Sequence, residues 1–315
     1  VWVASWISLA GIIAVAATET VVVRDPMKSY PFSLSEQPLN VEQRQMYGAM
    51  MTLRRALSSY KLREGGVPAR VDDLLKSPSG AWFTPRNPYN GQPARVRMVP
   101  AVPAEVGDLI LMVPPSRNAN WAGMELRAYA KGLPGELPYF YHFVPRSRVP
   151  EEVREAYSSQ AVRLKGLTEQ ERQVESYAAV LEACANKANE TKVPGYKEVF
   201  GGIASLADLR AAWWECDPSV ITNPFTGKPV REVPVTAPSP GEVTFLPVQL
   251  DLDVTQRYKG SLADRPESYP RGVVIIGWTA NLKPVDWARL SFANRFRPSD
   301  LDPLPVSILK QLLPD

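Results

Sequence analysis

Histidine is all but missing from this chain: His142 is the only one in 315 residues. A metal site that needs two imidazoles from one chain is excluded. Any Ser-His or Cys-His machinery would have to run through that single residue. Cysteine is nearly as scarce. Cys184 and Cys216 are too few for a four-thiolate zinc site or an iron–sulfur cluster. An excess of either charge is also lacking. Lys and Arg total 36 against 33 Asp and Glu, a formal net charge of +3. That balance argues against nucleic acid as a main partner. No metal and no cofactor is expected. With one histidine and no nucleophile motif, an enzyme is not expected either.

Proline is what the chain has in excess. Its 31 prolines are about twice the usual share. Such a chain has many turns, strand edges and stiff loops, and little room for long helices. One stretch is different. Residues 1–23 read VWVASWISLAGIIAVAATETVVV, with Glu19 as the first charge and Arg24 as the first basic residue. That is near the ~20 residues an apolar helix needs to cross a bilayer. Trp2 and Trp6 lie four apart near one end, where interfacial aromatics gather. The stretch lacks the basic start of a secretory signal, so a helix retained in the mature protein is expected. Asp25-Pro26 ends it, because the residue before proline is pushed out of the α region.

An extended connector carries Pro31 and Pro38. Asn40 and Gln43 then have the spacing of a capping box. Tyr47, Met50, Met51, Leu53, Leu57 and Tyr60 fall on one face of a helix that Gly65-Gly66 stops. The runs 107–115 and 137–145 read as strands. Thr168 and Glu171 give a second capping box and open a helix through about Asn189. Residues 243–249 and 272–278 read as strands again, and the proline-rich end as a tail packed on the surface.

The sequence also repeats itself. From Asn87 it reads NPYNGQP, and 136 residues on, from Asn223, NPFTGKP. Asn87, Pro88, Tyr89, Gly91 and Pro93 thus match Asn223, Pro224, Phe225, Gly227 and Pro229. Upstream, Asp73-Leu74 matches Asp208-Leu209. Downstream, Gly107-Asp108-Leu109 matches Gly241-Glu242-Val243. Three matches in order, at a nearly constant offset, predict two copies of one domain. The motif has the chemistry of a turn. Asn before Pro starts it, Pro fixes φ, the aromatic packs inward and Gly permits positive φ. Neither an acid nor a cation nor a nucleophile recurs in both motifs, so structure rather than a ligand is expected. The predicted division is 1–37 for the hydrophobic helix and connector, 38–149 for the first copy, and 150–315 for the second copy with its tail.

This order of features resembles the bacterial type IV pilins, most closely the pseudopilins of type II secretion. The residues that carry the resemblance are the apolar N-terminal run, Tyr60, Gly66, Pro68, Asp73-Leu74 and the turn Asn87–Gly91. The second copy keeps Asp208-Leu209 and Asn223–Gly227. Ser5 stands where the family usually has Glu. The resemblance covers most of the chain and implies an α+β fold. In it an N-terminal apolar helix is followed by two tandem pilin-like headgroups, each a helix packed on an antiparallel sheet. It also implies a structural subunit of an extracellular, cell-surface filament, without catalysis. The filament core would be built from Val1, Trp2, Trp6, Ile7, Leu9, Ile12, Ile13, Val15 and Glu19. The implied partners are copies of the same chain in a helical homopolymer, a pilus or type II secretion-like assembly machinery, and the inner membrane before assembly. Bundling removes such apolar segments from water. In an extracellular protein Cys184 and Cys216 suggest one disulfide, two buried thiols being the alternative. In the resembled fold the connection to Cys216 runs back over the helix that bears Cys184.

His142, between aromatics in YFYHFVP, is expected as a packed or edge-strand residue. Asp251, Asp253 and Asp264 are expected in a solvated loop rather than around calcium. Asn189-Glu190-Thr191 fits a glycosylation sequon. A second functional reading is a membrane-anchored, non-polymeric surface protein with a tandem recognition module. Trp82, Trp121, Trp213 and Trp214 would serve it as binding aromatics.

Overall fold

The capping box at Asn40 opens the first helix, α1 (Val41–Glu64). The Asn40 side chain accepts the Gln43 N–H at 2.8 Å, and the Gln43 side chain accepts the Asn40 N–H at 2.9 Å. Gly65 closes the helix at φ 76°, a left-handed conformation that glycine adopts without a Cβ penalty. A computed structural model describes residues 39–98, 104–112, 123–133, 137–145, 166–190, 203–248 and 272–285. After α1 come α2 (Val71–Leu75), β1 (Val96–Met98), β2 (Leu109–Met112), β3 (Gly123–Tyr129) and β4 (Tyr139–Pro145). The second copy supplies α3 (Glu169–Glu190), α4 (Leu206–Ala211), a 3-10 turn at Pro218–Val220, β5 (Val243–Val248) and β6 (Gly272–Gly277).

The expected fold class is corrected in two respects. Among the described residues, no helix is long and apolar enough to cross a membrane. The two long helices, α1 and α3, are studded with charge, from Glu42 and Arg44 to Arg63 and Glu64 in α1. The apolar stretch 1–23 and its core residues lie outside the described residues. The second correction is to the sheets. The first is mixed, ordered β1-β2-β3-β4, with β1 parallel to β2 and the other pairs antiparallel. The second has two antiparallel strands, β5 and β6, extended by an isolated parallel bridge between Glu232 and Val243. The expectation of little room for long helices also fails. The prolines leave α1 and α3 clear, and these run 24 and 22 residues.

The division into compact units falls between Gln37 and Pro38, and both copies lie in the second unit. Met46, Met50, Met51, Leu53 and Leu57 of α1 are buried against β3 and β4 on one side and α3 on the other. From α3, Val174, Tyr177, Ala178 and Leu181 are buried, largely over β6.

The two sheets finish differently. In the first copy the outer edge of β3 is paired by β4. In the second, β6 begins the same hairpin: the Val285 N–H donates to the Gly277 carbonyl at 2.9 Å. Further along that edge, side chains of α3 take over. Asn186 pairs with both the N–H and the C=O of Val273, at 2.9 and 3.2 Å, and Glu182 accepts the Ile275 N–H at 3.1 Å. These are groups an added strand would otherwise satisfy, so the helix guards an edge that would invite pairing.

Candidate functional site

The repeated motif builds the same turn twice. In the first copy the Asn87 N–H donates to the Gln92 carbonyl, and the Gly91 N–H to the Asn87 carbonyl, both at 2.8 Å. In the second, Asn223 N–H to Lys228 O and Gly227 N–H to Asn223 O measure 2.8 and 2.9 Å. Each Asn side chain then works at both ends. Its oxygen accepts the N–H of the aromatic two residues on, Tyr89 or Phe225, at 2.9 Å. Its amide donates to the carbonyl just before the second repeated glycine of the copy, Val106 at 3.0 Å or Pro240 at 2.9 Å. Gly107 and Gly241 have φ of 94° and 71° and press directly on that amide. A Cβ on either would come within 2.1 Å of the Asn side chain, so glycine is required there twice over.

An ion pair follows in each copy. Asp108, buried, holds Arg95 at 2.9 Å and Arg97 at 2.6 Å. Glu242, also buried, holds Arg231 at 3.2 Å. Burial alone would raise the Asp108 carboxyl. The Glu105 N–H and the two guanidinium groups outweigh burial and hold it below the usual carboxylate range. Arg95 and Arg231 stand two residues after Pro93 and Pro229, at the motif's own offset. The sequence carries the signal for this ion pair in that spacing.

The third residue of each helix completes the pattern. Gln43 donates to the carbonyls of Lys131 and Gly132, both at 2.9 Å. Glu171 accepts the Ala280 N–H at 3.3 Å, in the turn after β6. Each capping-box residue thus also clamps the hairpin turn of its own sheet. The turn residue with positive φ is Gly132 in one copy and Leu282 in the other.

The copies meet at a seam that sequence reasoning missed. Phe83 and Ile221 form an antiparallel bridge, with the Thr84 and Thr222 hydroxyls hydrogen-bonded beside it. The Asp217 N–H donates to the Thr52 hydroxyl at 2.8 Å, and Gly48 leaves room for the passing chain at Trp213 and Asp217. Reciprocally, the Trp82 indole N–H donates to the Ser176 hydroxyl at 3.3 Å on α3. Arg55 pairs with Glu215 at 2.8 Å, and Arg63 with Glu175.

Other expected positions fall as follows. Tyr89 and Phe225 are half-buried rather than core residues. The Tyr89 hydroxyl accepts the Lys131 N–H at 2.9 Å. Pro88 and Pro224 are half-buried, while Pro93 and Pro229 are exposed and bridge back to Arg86 and Thr222. Trp82, Trp213 and Trp214 are buried in the core, at 1%, 8% and 8% exposure, and cannot serve as a binding platform. Trp121, Asp251, Asp253 and Asp264 lie outside the described residues. Asn189 sits at the end of α3, and Thr191 lies outside. His142 is in β4 opposite Leu126, and burial beside Arg54 and Arg55 pushes its imidazole down to about 4. Cys184 and Cys216 are both buried, and both are free thiols in this structure. Comparison with family descriptions, curated proteins and solved structures finds no match to this chain.

Proposed function

We propose that this chain is a structural, non-catalytic subunit of an extracellular, pilus-like filament, polymerising through its apolar N-terminal segment. One observation carries the reading: the polar residues shared by both copies are spent inside the scaffold. Asn87 and Asn223 satisfy their own turns, and Asp108 and Glu242 hold their own arginines. A doubled unit built in this way suits a rigid head that must keep its shape in a polymer. The sequence of residues 1–18 carries no charged side chain, so that surface gains from association with its own kind. In this reading the partners are copies of the chain, a secretion-type assembly machinery, and the inner membrane before assembly. The burial of Trp82, Trp213 and Trp214 weighs against the rival recognition module.

Negative-stain imaging of sheared surface material tests the proposal. Regular filaments that disappear when residues 1–37 are deleted are the expected result. Monomeric, non-fibrous material from the complete chain, or filaments that persist after the deletion, would overturn it.

A further inference from the structure

Two nucleophiles lie side by side at the seam. Cys184 is on α3, and Cys216 follows Trp213-Trp214-Glu215 on the segment that α1 grips. Both are fully buried at 0% exposure, and both are free thiols. The Cys184 thiol donates at 3.6 Å to the carbonyl of Glu215, the residue that immediately precedes Cys216. The Arg55 guanidinium stands beside them, fixed 2.8 Å from the Glu215 carboxylate. A thiol that already reaches the backbone next to the other cysteine needs little backbone movement to join it.

We propose that Cys184 and Cys216 form a dithiol–disulfide couple whose oxidised form fastens α3 to residues 213–217. The proposal rests on the thiol geometry and stands whether or not the chain polymerises. The oxidant is a low-molecular-weight or protein disulfide. One cysteine thiolate attacks a sulfur of that disulfide and expels a thiolate, leaving a mixed disulfide. The second cysteine thiolate attacks the mixed disulfide and expels the other. The pair gives up two protons and two electrons, and the acceptor becomes two thiols. Burial sets the timing. In the folded chain the Cys216 thiol is pushed well above its ordinary value by burial and by its neighbour Cys184, so it is unreactive there. The exchange therefore runs while the chain folds, before the seam closes over it. The bond then lies in the core, away from reductant.

The test refolds the complete chain in detergent, once in mixed reduced and oxidised glutathione and once in reductant alone. Peptides digested without reduction are read by mass spectrometry. The expected result from the glutathione buffer is one cross-linked peptide pair carrying Cys184 and Cys216, with no thiol left to alkylate in denaturant. The melting temperature should exceed that of the reduced chain by about 5–10 °C. That shift should vanish in the C184A/C216A variant. If the variant does not fold, the cross-linked peptide of the unaltered chain decides alone. Two alkylatable thiols, a lasting glutathione adduct, or bridges between chains would overturn the proposal.

Discussion

Thr84 and Val220 are counterparts in the two copies, and they are bonded to each other: the Thr84 N–H donates to the Val220 carbonyl at 2.8 Å. Two residues on, the Thr222 N–H donates to the Trp82 carbonyl at the same distance. The copies therefore meet through the same piece of each, run antiparallel, as subunits do at a two-fold interface. The helices obey the same relation. Counted from the capping boxes, Gly48 and Ser176 are counterparts. Gly48 faces Asp217 ahead of the second turn, and Ser176 receives Trp82 ahead of the first. Each helix thus supports the turn of the other copy.

The asparagine turn should tolerate little. Asn223→Ala strands the Phe225 N–H and the Pro240 carbonyl at a fully buried position, at a cost of about 2–3 kcal/mol. Gly241→Ala should cost at least as much, because its φ of 71° disfavours a side chain and the new Cβ would meet the Asn223 side chain at 2.1 Å. Removing that side chain relieves the clash, so the double variant should lose less than the sum of the two. Urea titrations of the three variants check this. Strict additivity would show that the two residues do not press on each other.

Leu282 breaks a local rule. It holds φ 59° in the hairpin turn after β6, where the first copy has Gly132 at φ 69°. A left-handed conformation costs an L-residue about 1–2 kcal/mol, and Leu282 is 44% exposed, so little packing offsets it. Leu282→Gly should stabilise the fold by about 0.5–1 kcal/mol, and Gly132→Leu should destabilise it. A lower urea midpoint for Leu282→Gly would mean that the leucine makes contacts that outweigh its backbone.

His142 should make stability fall in mild acid. Its folded value, about 4, lies below the ordinary 6.5, because burial and then Arg54 and Arg55 disfavour the imidazolium. Between those values the unfolded chain takes up a proton that the folded chain refuses. Stability from this residue is therefore fully present above about pH 6.5 and is lost as pH falls towards 4. The size is about 2–3 kcal/mol. His142→Gln should flatten the stability profile across that window, as followed by denaturant midpoints from pH 4 to 7. An unchanged slope would place the sensitivity elsewhere.

Much of the local structure could be read from sequence because its causes are local. Asn40 with Gln43 and Thr168 with Glu171 mark where both long helices start, through capping chemistry. The Gly after Asn87 and Asn223 marked the turns, since only a positive φ calls for it there. What stayed hidden depends on distant partners. Nothing near Gly48 in the chain says that Asp217 passes over it, and nothing near Thr52 says that its hydroxyl receives the Asp217 N–H. The parallel pairing of β1 was hidden for the same reason: a three-residue strand, Val96–Met98, carries no periodicity long enough to show which neighbour it joins. The turn motif alone predicts an inward-packed Tyr89. Its hydroxyl finds the Lys131 N–H instead, and a polar tip of that kind keeps the ring half out.

The seam makes one strong prediction about cooperativity. Tandem headgroups joined like beads would unfold in two steps, and each half would survive alone. Here the halves share their cores. Tyr47 of the first copy packs edge-on against Trp213 of the second at 5.6 Å, and Tyr177 packs on Trp82 at 6.2 Å. Cutting the chain at 149/150 would expose these rings on both sides and leave Arg55, Glu215, Glu175 and Asp217 without the partners they have at the seam. Residues 38–315 should therefore melt in one transition, with calorimetric and van't Hoff enthalpies equal. The separate pieces 38–149 and 150–315 should be unfolded, and should regain helix when mixed. Gly48→Val is the single-site probe. Its Cβ would meet the Asp217 Cβ at 2.9 Å, so it wedges the seam without touching either turn. Hydrogen exchange should then rise in β2 and in β5 by the same factor, because both opened with one global event. A rise confined to β2, or a folded 38–149 piece with its own sharp melt, would show that the copies are independent after all.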